Sequence, residues 1–211
     1  MISKLYFRYG TMDSSKTARL IMDAYDYTSR GEFVLPIKPV ADSRSKKGKI
    51  ESRTGLSVDC LDVEKDYHIY GHIGMLLKND INISCVLVDE AQFLTSAQVL
   101  QLRLVANHFD IPVMCYGLKT DFRGNMFEGS QSLFIHANRL EEVKTICREA
   151  GCKHKAMFNV RYSDGRPTFK GEQVQVGDTK AEEKTYYYVP KCSAHFLENY
   201  EAHLKEEGVV K

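Results

Sequence analysis

The sequence carries little net charge of either sign: 29 Lys and Arg stand against 28 Asp and Glu, a formal charge of +1. That excludes the global pull toward nucleic acid that a strongly basic domain exerts. It also lacks any apolar run approaching the roughly 18 residues that a membrane-spanning helix needs, so no membrane association is expected. Internal repeats and low-complexity segments are absent, and the apolar stretch from Leu5 reads as a first strand with no signal peptide ahead of it. The six cysteines, at 60, 85, 115, 147, 152 and 192, read as thiols and ligands rather than as a disulfide framework. Cys85 and Cys115 lie within apolar runs, where cysteine behaves as a small hydrophobe. A cytoplasmic location is the expectation. What is present is a chain of 211 residues, 43% apolar and 27% charged, which suits one domain of ordinary size plus a small appended module.

The stretch Leu5-Tyr-Phe-Arg-Tyr-Gly-Thr-Met-Asp-Ser-Ser-Lys-Thr17 is a short apolar strand that breaks at Gly10 and runs into a segment of helical spacing. A phosphate-binding loop is built this way: inward backbone N–H groups, a helix N-terminus behind them, a lysine for the outer phosphates and a hydroxyl for Mg²⁺. Gly10, Thr11, Met12, Asp13, Ser14, Ser15, Lys16 and Thr17 form that loop here. It lacks one glycine of the usual pattern, because Ser15 occupies the position before the lysine, where a Cβ hinders close approach of the backbone to a phosphate. A second motif, Cys85-Val-Leu-Val-Asp-Glu-Ala-Gln-Phe93, reads as a buried parallel strand ending in two carboxylates at the ligand edge of an α/β sheet. Asp89 would face the metal, leaving the neighbouring carboxylate free to act on the nucleophile.

Ala18, Leu20, Ile21, Ala24 and Tyr25 predict a helix closed by Gly31, and residues 33–38 predict the second strand, completing a βαβ unit. The basic segment from Pro39 to Gly55 shows no hydrophobic period and reads as a loop or a lid whose arginines meet a triphosphate. Val58–Val63 alternates like a strand. Residues 66–77 look helical, with His68 and His72 read as surface histidines. Thr95 is placed to cap a helix running toward Asn107, and residues 111–116 form a further strand. The loop after that strand offers Leu118, Phe122 and Phe127 as apolar walls.

Beyond about residue 139 the composition changes. Leu140–Ile146 alternates like a strand leading to Cys147-x4-Cys152, and much later comes Cys192-x2-His195. Two knuckles supplying Cys147, Cys152, Cys192 and His195 satisfy the tetrahedral demand of structural Zn²⁺, with His154 an alternative to Cys152. Residues 156–162 and 173–176 alternate like paired strands around a turn at 164–167, and 194–206 predicts a terminal helix. Such a clip would close a loop of about forty residues.

Taken together, Gly10–Thr17, Lys38-Pro39 with Asp42 and Arg44, Ser52-Arg53-x-Gly55, Asp89-Glu-Ala-Gln-Phe93, Tyr116-Gly-Leu-Lys-Thr-Asp-Phe-Arg-Gly124 and the cysteine–histidine set resemble the type II thymidine kinases. The resemblance spans nearly the whole chain. It implies an α/β fold: a P-loop, RecA-like parallel sheet with helices on both faces over residues 1–140, and a small zinc-containing lasso domain over 141–211. Transfer of the γ-phosphoryl of ATP to the 5′-hydroxyl of thymidine or deoxyuridine, in deoxynucleotide salvage, is the implied reaction. Position by position, the resemblance makes Glu90 the general base and gives Mg²⁺ to Asp89 and Thr17. Lys16 would cradle the outer phosphates, Arg44 would neutralise the transferring group, and Gln92 joins the ATP set. It further implies that Met12, Phe93, Leu118, Phe122, Phe127, Val174, Val176, Gly177 and Tyr188 surround the nucleoside. A homotetramer and feedback inhibition by dTTP are also implied. Two other readings remain at this stage: an ATPase acting on nucleic acid, disfavoured by the neutral charge, and a catalytically weak nucleotide sensor, suggested by Ser15.

Overall fold

The structure is a computed structural model that describes residues 2–40, 46–173, 186–206 and 208–209. Two compact units make up the chain: one from residues up to Tyr9 with Ser15–Leu118 and Phe127–Glu142, the other from Gly10–Ser14, Lys119–Met126 and Val143 onward.

The larger unit runs β1 (Leu5–Tyr9), α1 (Lys16–Thr28), β2 (Phe33–Pro39), β3 (Lys49–Glu51), β4 (Ser57–Asp59), β5 (Leu61–Val63), α2 (Ile69–Lys78), β6 (Ile83–Val88), a 3-10 turn (Ala91–Phe93), α3 (Ser96–His108), β7 (Val113–Gly117), α4 (Glu128–His136) and β8 (Arg139–Glu142). Six of the strands form one sheet in the order β5-β2-β6-β7-β1-β8, and every neighbouring pair is parallel. Alternation along β6 explains why helices cover both faces: Cys85 and Leu87 pack with Leu20, Ile21 and Ala24 of α1, while Val86 and Val88 pack with residues of α2 and α3. Thr95 caps α3 as its position suggested. Its hydroxyl accepts from Gln98 N–H at 3.2 Å and its own N–H donates to the Gln98 side chain at 3.1 Å, a capping box that contributes about 1 kcal/mol.

Four local expectations change. Residues 58–63, read as one strand, divide between β4, which pairs with β3, and β5, which joins the main sheet. Lys49–Glu51, read as loop, pairs as a hairpin with Ser57–Asp59. Ile50, wholly buried, is its one apolar anchor and leaves no periodicity to read. The expected strand over 140–146 stops at Glu142. α4 has no counterpart in the sequence reading, because the face it buries includes Gly129, Ser130 and Ser132 rather than a hydrophobic stripe.

The smaller unit contains β9 (Phe158–Ser163), β10 (Arg166–Thr168), β11 (Tyr186–Lys191) and α5 (Ser193–Glu206). Its antiparallel sheet has the order β10-β9-β11. Asp164 and Gly165 both take positive φ, 50° and 77°, which gives the two-residue turn a twist that matches the strands. Gln173 lies in no strand, and the rest of the expected strand, including Val174 and Val176, lies outside the described residues. Val160, Phe169 and Phe196 form the core, with Phe158 stacked on Phe196 at 4.3 Å. None of the described helices is long and apolar enough to cross a membrane.

Candidate active site and metal centre

In the larger unit, α1 begins at Lys16, and Ser15 is its N-terminal cap residue with φ 63° and ψ 25°. This is the left-handed region, where a Cβ costs about 1–2 kcal/mol and glycine costs little. The glycine missing from the phosphate loop is therefore missing where the backbone conformation calls for one. Lys16 is buried. Thr17 Oγ1 donates to Asp89 Oδ2 at 3.0 Å, so the helix start and the end of β6 share one hydrogen bond.

Asp89 and Glu90 are 4% and 9% exposed. Burial, and then the charge of Glu90, hold the Asp89 carboxyl well above the ordinary carboxylate range, against the opposing effects of the Thr17 hydrogen bond and the Lys16 charge. Glu90 itself has φ 47°, a left-handed turn that ends the strand abruptly and starts the 3-10 turn. Gln92 organises this corner: its amide N–H donates to Glu90 Oε2, and its carbonyl oxygen accepts from Leu118 N–H at 3.0 Å. Two glycines allow the close approach. A Cβ at Gly117 would lie 2.7 Å from Gln92 Oε1, and one at Gly129 would lie 2.5 Å, 2.7 Å and 2.9 Å from the carbonyl oxygens of Ala91, Leu94 and Gln92. Phe127 packs edge-on against Phe93 at 5.8 Å.

Arg44 lies outside the described residues, but the chain beside it is tied down. Lys38, 2% exposed, donates to the carbonyls of Lys46 at 3.1 Å and Lys49 at 2.9 Å. Asp62 stands 3.7 Å from its Nζ and accepts from Gly48 N–H at 2.7 Å. His68 and His72, read as surface histidines, both have protein partners: His68 Nδ1 accepts from Gly71 N–H at 3.0 Å, and His72 Nδ1 lies 2.9 Å from the Tyr67 hydroxyl.

The smaller unit holds Gly10–Ser14. Ser14 Oγ donates to the Thr11 carbonyl at 2.8 Å, Met12 N–H donates to Asn159 Oδ1 at 2.9 Å, and Asp13 pairs with Arg148 at 3.8 Å. A Cβ at Gly10 would lie 2.4 Å from the Val143 carbonyl, so this first glycine is required by close packing. Phe122 is 1% exposed, 6.5 Å from the Tyr188 ring. Val174, Val176 and Gly177 lie outside the described residues.

Cys147, Cys152, Cys192 and His195 bring three sulfurs and one ring nitrogen within 4.8 Å of one another. His195 Nδ1 is 3.4 Å from Cys147 Sγ and 3.2 Å from Cys192 Sγ, and Cys152 Sγ is 4.0 Å from Cys192 Sγ. Tetrahedral Zn²⁺ with Zn–S bonds of about 2.3 Å sets its sulfurs about 3.8 Å apart, so the donor set is compatible with zinc. Burial opposes ionisation of Cys147, but backbone N–H groups of Glu149 and Cys192 and the His195 ring outweigh it and bring the thiol down to about 7. Glu198 approaches the other ring nitrogen of His195 at 3.8 Å, the kind of carboxylate that orients a metal-bound imidazole. Cys152 completes the cluster, while His154 sits beside it, its Nδ1 3.5 Å from Cys152 Sγ.

A parallel α/β sheet with a strand–loop–helix carrying Lys16 and Thr17, and with paired carboxylates at the end of β6, defines a P-loop nucleotide-binding protein. The family model described as thymidine kinase matches residues 3–196. A thymidine kinase of Lactobacillus johnsonii is 38% identical over 201 residues, spanning 93% of this chain and 97% of its own. One from Streptococcus gordonii is 37% identical over 196 residues, spanning 93% and 97%, and one from Enterococcus faecalis is 38% identical over 198, spanning 93% and 95%. The chain belongs to the thymidine kinase family.

Proposed function

We propose that this protein transfers the γ-phosphoryl group of ATP to the 5′-hydroxyl of thymidine or deoxyuridine, giving the monophosphate and ADP for deoxynucleotide salvage. The observation that carries the reading is the Thr17–Asp89 hydrogen bond of 3.0 Å beside a Glu90 carboxylate gripped by Gln92. It joins a phosphate-loop hydroxyl to a paired-carboxylate corner. Thr17 and Asp89 would hold Mg²⁺, which supplies positive charge to the β- and γ-phosphates. Lys16 neutralises those phosphates from the helix N-terminus, and Gly10, Thr11, Met12, Asp13, Ser14 and Ser15 wrap them with backbone N–H groups. Glu90 accepts the proton of the 5′-hydroxyl as the oxygen attacks phosphorus and the bond to the β-phosphate oxygen breaks, with Gln92 holding the carboxylate in one orientation. Arg44 would add charge to the transferring group.

For the nucleoside, the residues proposed are Met12, Phe93, Leu118, Phe122, Phe127, Val174, Val176, Gly177 and Tyr188. Residues 1–140 act as the nucleotide-binding domain and 141–211 as the lasso domain, its zinc held by Cys147, Cys152, Cys192 and His195. A homotetramer, inhibition by dTTP and a cytoplasmic location complete the proposal. The test is ADP production from ATP and Mg²⁺ with thymidine, with deoxycytidine and with neither. A thymidine-dependent signal is expected, and Glu90→Gln should lower kcat by about 10²–10⁴ with nucleotide affinity little changed.

A second reading has one observation in its favour. The left-handed Ser15 would suit a loop that binds nucleotide without efficient turnover, in which case Ser15→Gly would create activity that the parent chain lacks.

A further inference from the structure

The smaller unit encloses an arginine that none of the roles above uses. Arg161, within β9, is 1% exposed, and burying a guanidinium is costly unless its surroundings match it. Here they match it closely. The guanidinium carbon lies 3.7 Å from the centroid of the Phe122 ring, a face-on contact that suits a planar cation far better than an ammonium. It also lies 5.1 Å from the Tyr186 ring, and Nη1 donates to the Glu172 carbonyl at 3.2 Å. Gly171, with φ +101°, closes another side: a Cβ there would come within 2.9 Å of Nη2.

A second device holds the backbone next to the same ring. The Asp121 side chain is fully buried and accepts from the N–H groups of Arg123 and Asn125, both at 2.9 Å, and from Gln173 Nε2 at 3.2 Å. Asp121 thus pins the chain at Phe122 while Arg161 pins the plane of the ring. An aromatic side chain rotates broadly about its second torsion when unsupported; the Arg123 guanidinium at 5.3 Å and the Tyr188 ring at 6.5 Å also flank this ring, and Arg161 at 3.7 Å is the nearest of the three.

We infer that Arg161 is a positioning residue for the nucleoside. By fixing the enclosed Phe122 ring it sets the wall against which the pyrimidine base is held, and it governs nucleoside affinity without affecting ATP. The inference rests on the kinase reading and on the placement of Phe122 beside the base.

The experiment is steady-state kinetics on the full chain, with zinc content and thermal midpoint measured alongside. Arg161→Met should raise the thymidine KM roughly tenfold or more, a loss of the size expected when an ordered contact surface is released, and leave the ATP KM within about twofold. Arg161→Lys keeps the charge but not the planar face, so it should show the same split rather than rescue. Phe122→Leu should raise the thymidine KM by itself, and adding Arg161→Met to it should change little more, because the two residues act as one unit. An unchanged thymidine KM, a parallel rise in both KM values, or full additivity in the double variant would each overturn the assignment. Should the Met variant lose zinc or fail to fold, the Lys variant carries the same comparison. A parent chain with no thymidine-dependent ADP release overturns the kinase reading itself. An active parent whose Arg161 variants keep the parental thymidine KM overturns only the role of Arg161.

Discussion

In the larger unit β6 is buried between α1 on one face and α2 with α3 on the other, and its core residues include Val86, Leu87, Val88, Leu102 and Val113, all wholly enclosed. In the smaller unit the sheet has three strands, its core is Val160, Phe169 and Phe196, and the chain leaves β11 directly into the thiol cluster at Cys192. The first unit spreads its stability over many apolar contacts, each worth about 1.5–3 kcal/mol per enclosed side chain. The second has a smaller core, and its thiol cluster is compatible with the metal clip by which small domains commonly make up the difference. The paired carboxylates lie on the first, where Gln92 and two close-packed glycines hold the corner at Glu90.

Metal removal should break this contrast most visibly. Zinc in a Cys3His site contributes on the order of 10 kcal/mol or more to folding, so a strong chelator, or Cys192→Ser, should abolish amide-exchange protection in β9, β10 and β11. Strands β2 and β6 should stay protected. Loss of protection in β6 at the same rate would show that the two units do not differ in this way.

Gly129→Ala probes the rigidity of the corner at Glu90. The added methyl meets three backbone carbonyls with no flexible side chain to yield, so about 1–3 kcal/mol of stability should be lost, together with kcat through displacement of the Ala91–Phe93 turn. Thermal melts and turnover measured on one preparation would check both, and an Ala variant with parental turnover would mean that the turn is not held as described.

Asp89→Asn should separate stability from activity. Burial raises the folded-state pKa of Asp89 above the ordinary carboxylate range, so the native state binds this proton more tightly than the unfolded chain. Its contribution to stability is fully present below the unfolded value and is lost as the pH climbs through the native one. In the absence of nucleotide and Mg²⁺, the Asn variant should therefore melt higher than the parent at neutral pH, by roughly 2–4 °C for each kcal/mol released. That gain should shrink toward pH 4, while activity falls at every pH. An equal gain at pH 4 and pH 8 would argue against a raised Asp89.

The smallest effect is expected at Ser15. Ser15→Gly relieves a left-handed φ of 63° and should stabilise the loop by about 1 kcal/mol, lowering the ATP KM severalfold. An unchanged KM would mean that the strain is borne elsewhere.

Much of this molecule was legible in order along the chain. The phosphate loop, the Asp89-Glu90 strand end, the Thr95 cap and the Cys147, Cys152, Cys192 and His195 set are local patterns, in which chemistry demands particular residues at short spacings. The short strand at 49–51 and the helix at 128–136 were not legible, since Ile50 stands alone among polar residues and α4 buries serines and a glycine. Tertiary context overrides a weak local pattern in both.

The class of chemistry, the parallel α/β organisation and the cysteines and histidine that the fold gathers were readable from the chain alone, because hydrophobic period, loop spacing and residue type are written in neighbouring residues. The fold alone shows that Gln92 accepts from Leu118 N–H, that Gly117 and Gly129 must lack side chains, and that the Arg161 guanidinium stands over the Phe122 ring. Those facts join residues far apart in the chain, and close packing, unlike spacing, leaves no local mark.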